Sequence, residues 1–497
     1  MQKALLLNER DSVAVALTGL KAGETVKVGD PKITLLEPVK AGHKFAVTRI
    51  EEGGEVIKYG HPIGRATRTI LPGQWVHTHN LKSGLEDLKD YAYHPRLVSI
   101  KPQLTDKEPF FLGYPRPDGS VGIRNEIWII PTVGCVNRLA ENLADLAARQ
   151  IKAASLDGIH ALKHPYGCSQ LGQDHQNTQK LLSSLCHHPN AAGVLVLGLG
   201  CENNRIEEFK EVLGDYDPGR VKFLIAQEIG DEIEEGLRLL QELAEQAGRA
   251  SRAPFPGSEL KIGLKCGGSD AFSGITANPL VGLVAEEVVA WGGTAVLTEV
   301  PEMFGAETIL MDRALDQDLF TRIVELINGW KKYYIDHGQP VYENPSPGNK
   351  EGGITTLEEK SLGCVQKGGN SSVVDVLSYG DRTRVRGLNL LSAPGNDLVS
   401  STALAAAGCQ LILFTTGRGT PFGTCVPTVK IASNSPVYHR KPHWFDFNAG
   451  RILEGKDMKS LARCLLELVL EVASGRRVRA EEMGFREIAL FKTGVTL

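Results

Sequence analysis

Residues 191–204 read AAGVLVLGLGCENN, and the reading of this stretch decides the fold. Val194 to Leu197 form an apolar run rich in valine, too short for a helix and bounded by glycines, which reads as a buried strand. It ends in Gly198, Gly200, Cys201, Glu202 and Asn203. The same order of strand, glycine and polar residues returns at 127–137 (IWIIPTVGCVN), 159–170 (IHALKHPYGCSQ), 260–270 (LKIGLKCGGSD), 294–307 (TAVLTEVPEMFGAE), 388–397 (LNLLSAPGND) and 410–421 (QLILFTTGRGTP). Ligands of open α/β sheets bind beyond the carboxyl ends of the strands, so polar residues gathered there are candidates for a site. Any one of these loops is equally an ordinary capped turn; their recurrence is what points to function.

Working outward, strands predicted near 127–131, 159–163, 193–197 and 221–226 alternate with helices at 138–152, 172–186, 204–213 and 229–247, an α/β domain over residues 120–250. The run SRAPFPGS at 251–258 reads as a boundary, and a second α/β domain, its sheet also mainly parallel, spans 259–497. Its section 340–370 has the weakest pattern, which in a compact enzyme marks a lid or part of a site. Residues 1–80 differ: short apolar runs broken by glycine and proline, with Gly-x-x-Val at 23–26, 53–56 and 73–76, predict a small β domain. Residues 81–119 carry five prolines and read as a long connection, which Tyr91, Tyr93, Phe110, Phe111 and Tyr114 could pack onto a neighbour.

A chain of 497 residues exceeds what one core usually supports, roughly 250–300 residues. Its 42% hydrophobic and 23% charged residues are those of a soluble globular protein, and a net charge of −4 offers no general basic field for nucleic acid or anionic membrane. The N-terminus does not read as a signal peptide and no run approaches a membrane span, so a cytoplasmic enzyme is expected. The nine cysteines are dispersed without a CxxC pair, which argues against a disulfide framework and a zinc finger. Cys135, Cys168 and Cys201 stand 33 residues apart, each just past a predicted strand.

Gly198-x-Gly200 lacks the third glycine of a dinucleotide fingerprint, having Asn203 there, and no phosphate-binding loop motif occurs, so nicotinamide is not expected. The polar loops suit an anionic, hydroxylated small molecule. Thr416, Arg418 and Thr420 combine hydroxyls and a guanidinium after a strand, Asn396 and Asp397 could hold sugar hydroxyls, and Lys430 could add a second cation. If 76–80 (VHTHN) is a strand, His77 and His79 share a face and could bind a metal. Glu299, Glu302, Glu307 and the strand-end cysteines are further potential ligands. A [4Fe–4S] cluster on three loop thiols is disfavoured, because such clusters more often draw two thiols from one short motif.

The stretches AGHKFA (41–46), IKYGHPIGRA (57–66) and VHTHN (76–80) resemble the small N-terminal SAF domain, a β-clip-like fold, of the altronate and galactarate dehydratase family. PTVGCVN (131–137), YGCSQLGQDH (166–175), GLGCENN (198–204), CGGSDAFSGITANP (266–279), TEVPEMFGAE (298–307), NPSPGNKEGGITTLEEKSLGC (344–364), SAPGND (392–397), TTGRGTPFGTCVPTVKIASN (415–434) and FREIALFKTGVTL (485–497) are similar to the body of that family. A sulfolactate sulfo-lyase that splits the same parts over two chains belongs to the group and supports a boundary near residues 80–100. The resemblance implies loss of water from D-altronate to give 2-dehydro-3-deoxy-D-gluconate in hexuronate breakdown, with Fe2+ or Mn2+ required; galactarate or another aldarate is the alternative substrate. Removing the weakly acidic C2 proton calls for a base near neutrality and cationic charge already in place. On that reading His43 or Lys44 is the base with Lys58 beside it, and His77, His79, Cys201 and Glu202 hold the metal. Arg418, Thr416, Thr420, Asn396, Asp397 and Lys430 would bind the substrate. A homodimer is the default assembly for such an enzyme.

Overall fold

The computed structural model describes residues 2–29 and 31–495. Residues 2–84 form the expected β domain. Its main antiparallel sheet has the order Ala4–Leu5, Val13–Ala16, Lys44–Ala46, Trp75–Val76. A hairpin, Thr25–Lys27 with Lys32–Thr34, and a three-stranded sheet of Glu55–Lys58, His61–Ala66 and Leu81–Lys82 complete it. The repeated turn glycines adopt left-handed backbone, with φ of 76° at Gly23, 77° at Gly53 and 86° at Gly73. At Gly73 a side chain is also excluded by space, since a Cβ would lie 2.1 Å from the Thr34 carbonyl oxygen.

The first α/β region is a four-stranded parallel sheet in the order Gly158–Ala161, Glu126–Pro131, Ala191–Gly198, Val221–Ile225. All eight residues of Ala191–Gly198 are buried, which explains why that strand reads as a continuous apolar run. Helices Asn137–Gln150, Gly172–Cys186, Ile206–Leu213 and Glu232–Ala247 cover it; the last starts at Asp231, whose side chain accepts from the N–H groups of Ile233 and Glu234.

The second region is built on a seven-stranded parallel sheet in the order Val373–Leu377, Gly387–Leu391, Thr294–Leu297, Lys261–Cys266, Leu411–Thr416, Thr428–Ala432, Phe447–Asn448. The chain leaves the central strand Lys261–Cys266 in one direction and returns on its other side at Leu411–Thr416, so a topological switch lies between these two strands. The carboxyl ends there carry Cys266 and Thr416, and Glu299 follows the neighbouring strand Thr294–Leu297.

The connection read at 81–119 is not wholly irregular. Its Phe110–Pro115 segment pairs antiparallel with Ala253–Pro256, which lies in the stretch read as a boundary, and with Val121–Gly122. The hydroxyls of Tyr91 and Tyr93 donate to Glu307 and to the Ala314 carbonyl, both at 2.6 Å. Among the described residues, no helix is long and apolar enough to cross a membrane.

Arg124 locks the small sheet to the C-terminal segment. Its buried guanidinium donates to the carbonyls of Ile123 (2.8 Å), Val472 (2.9 Å) and Arg476 (2.8 Å) and to both Glu481 oxygens (2.8 Å each). Arg124→Met removes five hydrogen bonds and leaves the buried Glu481 carboxylate only Arg486 (3.3 Å) and the Val478 N–H (2.9 Å), and should cost about 3 kcal/mol, read as a lower urea midpoint.

Candidate active site

The β domain docks on the segment 344–364, which folds as helices Pro347–Glu351 and Leu357–Cys364 and lies between that domain and the carboxyl end of the seven-stranded sheet. Every residue of Leu357–Cys364 is buried, charged ones included. Glu359 on this helix takes Lys44 Nζ on one oxygen and Lys58 Nζ on the other, each at 2.7 Å. Lys44 Nζ also donates to Thr355 Oγ1 (2.5 Å) and the Gly353 carbonyl (3.3 Å). The Thr355 hydroxyl, accepting from Lys44, is free to donate to His77 Nδ1 at 2.8 Å.

Burial pushes the Lys44 ammonium down to about 8, with Glu359 opposing the fall and Lys58 adding to it. Burial acts on Lys58 too, but the Glu359 carboxylate prevails and holds it above the ordinary lysine value. Burial disfavours ionised Glu359, yet Lys44 and Lys58 together hold it down to about 2. Lys44 is therefore the lysine able to give up its proton near neutrality.

A second network fills the sheet side. Lys265 bonds Glu299 and, at 2.8 Å, Asp397, while Lys367 reaches Glu299 at 3.2 Å. Lys360 donates to Glu302 (2.8 Å) and Asn344 Oδ1 (3.1 Å), and the Cys364 thiol donates to Glu302 (3.2 Å). Against the cost of burial, Asp397 and Glu299 keep Lys265 charged, and Glu299 does the same for Lys367. Asp270, beyond Cys266, accepts from Ser273 Oγ (2.9 Å), Ser433 Oγ (2.7 Å) and Asn434 Nδ2 (2.9 Å), and burial raises its pKa.

A cavity of about 10 Å³, the size of one water, touches Lys58, Tyr59, Asp270, Glu359, Lys360 and Cys364. Tyr59 also lines an outer cleft of about 440 Å³ between the β domain and helix Ala277–Ala290, so its ring stands between solvent and the lysines. Tyr59 (φ 59°), Ser169 (φ 57°) and Glu299 (φ 67°) are the non-glycine residues with left-handed backbone among those described, and two of the three belong to this site.

The structure thus brings Lys44, Lys58, His43 and His77 together and places Asp397 in the sheet-side network. Other expectations are corrected. Trp75 Nε1–H donates to His43 Nδ1 (3.2 Å) and His43 Nε2–H donates to the Glu351 carbonyl (3.2 Å), so His43 has no lone pair for a base. Residues 77–80 are a turn, not a strand: His77 is buried against Thr355, whereas His79 is exposed beside Trp75 at 4.8 Å between ring centroids. Burial, with Lys44 next, pushes His77 down to about 4, a neutral imidazole.

Cys201 and Glu202 lie on the small sheet. The Glu202 carboxylate is occupied by Thr132 Oγ1 (2.6 Å) and the N–H groups of Leu199 (3.0 Å) and Gly200 (2.6 Å), which shape its own loop. Asn396 caps helix Asp397–Ala406 by accepting from Leu398 and Val399, both at 3.1 Å. Thr416 Oγ1 accepts from the Gly419 N–H at 2.9 Å, and Lys430 Nζ is spent on the Thr420 carbonyl. Arg418 is exposed, donating to the Gly348 carbonyl and pairing with Glu351, both at 3.2 Å. Glu307 pairs with Lys331 at 3.1 Å and holds Tyr91 of the connection.

An Fe2+ or Mn2+ ion does not fit this junction. Glu299, Glu302 and Glu359 are each closed by lysine, and among the described residues no three His, Cys, Asp or Glu side chains are gathered as a metal-binding group. Lysine supplies the positive charge that the structure places there. Sequence reasoning does not single out Lys265, Glu359, Lys360, Lys367, Cys266, Cys364 or Asp270. Lysines inside otherwise apolar elements, such as Lys265 in KIGLKC, are the signal that could have found them.

Three family models match: the altronate/galactarate dehydratase SAF domain over residues 2–84, the D-galactarate dehydratase/altronate hydrolase second domain over 113–248, and the D-galactarate/altronate dehydratase C-terminal domain over 257–496. The chain belongs to the altronate/galactarate dehydratase family. Within this family it is similar to the altronate dehydratase of Bacillus subtilis (strain 168), at 52% identity over 100% of both chains. The altronate dehydratase of Escherichia coli (strain K12) is 53% identical over 98% of both chains. The galactarate dehydratase (L-threo-forming) of the same organism is 34% identical, over 95% of this chain and 92% of the relative.

Because the Glu359 carboxyl titrates at about 2 in the fold against an ordinary 4.5, its stabilising contribution is present above pH 4.5 and fades as pH falls towards 2. Glu359→Gln should cost about 3–5 kcal/mol near neutrality by leaving two buried ammonium groups without a counter-charge. Urea unfolding at a series of pH values should show that the variant loses less on acidification than the parent.

Proposed function

We propose that the protein dehydrates D-altronate to 2-dehydro-3-deoxy-D-gluconate. The observation that carries this reading is the 52–53% identity to altronate dehydratases over essentially the whole chain, against 34% to galactarate dehydratase. The lysine-rich junction supports the chemistry. Neutral Lys44 takes the C2 proton, and Thr355 and neutral His77 beside it offer a route by which that proton moves away. The ammonium groups of Lys265, Lys360 and Lys367 meet the negative charge that develops on the substrate carboxylate. The 3-hydroxyl leaves as water after gaining a proton, and the enol product tautomerises to the 2-keto acid.

A cavity of about 10 Å³ cannot hold a six-carbon acid, so the reading requires the β domain or Tyr59 to move when substrate arrives. Arg418, exposed beside Gly348 and Glu351, stands at the outer end of the docking segment and suits the substrate carboxylate on its way in.

Two measurements test this. Turnover of a sugar-acid panel should favour altronate over galactarate and yield a 2-keto-3-deoxy acid; equal or better turnover of galactarate overturns the assignment. Activity should rise with pH through a value near 8 as Lys44 loses its proton. Lys44→Met should lower kcat by about 10²–10⁴-fold with the circular dichroism unchanged, a loss of the size expected for a general base.

A further inference from the structure

A cavity of about 240 Å³ lies where the two α/β regions meet, at the amino ends of the large sheet's strands. Ser120, Ser184 and Pro189 line it from the first region, and Thr294, Ala407 and Gln410 from the second. Its walls are fixed to one another. Asn190 Nδ2 donates to the Gln410 carbonyl (2.9 Å), His188 Nε2–H to the Cys409 carbonyl (3.1 Å) and Gln410 Nε2 to the Val121 carbonyl (2.5 Å). Lys261, which opens the strand Lys261–Cys266, is also part of the wall, while Lys265 and Cys266 at the other end of that strand belong to the lysine junction. At about 3.3 Å per residue, this six-residue strand sets the cavity roughly 16 Å from the junction.

Positive charge is crowded here. Arg382, Arg384 and Arg386, from the segment that leads into strand Gly387–Leu391, line the cavity together with Lys261. Of these four, Arg386 alone is in an ion pair among the described residues, with Glu259 at 2.7 Å. Its guanidinium is further committed to the Ser258 carbonyl at 2.9 Å. Asp118, the other acid in the wall, accepts from the N–H (3.0 Å) and hydroxyl (2.6 Å) of Ser120 and faces Arg220 at 4.0 Å. Burial lowers the pKa of Lys261, and Arg382 and Arg386 lower it further against the pull of Glu259. Between two of the arginines, Thr383 keeps a buried hydroxyl without a partner. Lys261, Arg382 and Arg384 are thus three cations around one enclosed space, with no carboxylate of the chain set against them.

We propose that this cavity binds a small phosphate dianion, free or as the end of a short ester, and that the bound anion ties the two α/β regions together. The planar fork of arginine matches the oxygens of phosphate, and two arginines with a lysine supply the charge that a dianion neutralises. A single carboxylate, such as that of a sugar monoacid, leaves the set short of negative charge. The cavity is small beside the roughly 300–1,000 Å³ of sites for drug-sized ligands, which suits a phosphate group carrying at most a short carbon chain. The inference rests on the wall of this cavity and not on the sugar-acid reading of the lysine junction.

The test is calorimetric titration of the full chain at low ionic strength, where screening is weak, with inorganic phosphate, glycerol 3-phosphate and malonate in turn. The parent should bind one phosphate per chain. Arg382→Gln and Arg384→Gln, at exposed positions outside any ion pair, should each weaken binding by about ten-fold or more, the loss expected for one charged hydrogen bond, and together should abolish it. Arg138→Gln, on helix Asn137–Gln150 beyond the carboxyl end of the small sheet, should bind as the parent does. Phosphate should raise the urea midpoint of the parent and leave that of the double variant where it is. Turnover in phosphate-free buffer should be equal in the two, which separates this site from the chemistry of the junction. Tighter binding of glycerol 3-phosphate than of phosphate identifies an ester as the ligand and equal binding identifies free phosphate; either upholds the site. A parent that binds neither, a double variant that binds as well as the parent, or malonate bound as tightly as phosphate overturns the proposal. Should the double variant not fold, phenylglyoxal labelling of the parent decides: phosphate should protect Arg382 and Arg384 and leave Arg138 reactive, and equal labelling with and without phosphate overturns the site.

Discussion

One carboxylate shared by two ammonium groups holds the β domain to the rest of the molecule. Lys44 and Lys58 come from different strands of that domain, and both end on Glu359 of the body, all three side chains being buried. Burying three charges is costly, and it is tolerable only because each oxygen of Glu359 has its own lysine and Lys44 has two further acceptors. The same compromise leaves Lys44 the less firmly protonated of the two. Docking and reactivity thus reside in one group: whatever loosens the domain also changes the proton affinity of the proposed base.

The remaining polar groups obey the same logic at the topological switch of the large sheet. The chain leaves two neighbouring parallel strands on opposite sides there, and the carboxyl ends of the sheet carry Lys265, Glu299 and Asp270. In such a dry setting each charge acts on its neighbours far more strongly than in water. Left-handed backbone at Glu299 and Tyr59 indicates that these side chains are held in place at the expense of local backbone comfort.

Much of this architecture is legible in the sequence. Strands flanked by glycine mark both sheets, and the Gly-x-x-Val turns mark the β domain, because burial and left-handed turns leave direct traces in composition. The strands Thr428–Ala432 and Val373–Leu377 escape such a reading: the first carries Lys430 within it, and the second lies among polar loop residues. The pairing of Phe110–Pro115 with Ala253–Pro256 joins stretches far apart in the chain, which no local pattern encodes. For the site, Lys44 and Lys58 stand out by their proximity to glycine turns, but Glu359 does not, since LEEKSLGC falls in the section of weakest pattern and only tertiary packing, which buries every residue of the helix, gives its carboxylate a role. Asn396 and Glu202 show the converse: polar residues at strand ends that serve their own loops, with nothing left over for a ligand.

The antiparallel pairing of Phe110–Pro115 with Ala253–Pro256 means that the chain goes into and out of the cysteine-bearing region through one two-stranded stem. That region is topologically a cassette whose two ends lie side by side. Such a unit can be exchanged by rejoining the stem, without threading the chain through the seven-stranded core, provided that the replacement keeps Arg124 and the buried face that packs on the larger sheet.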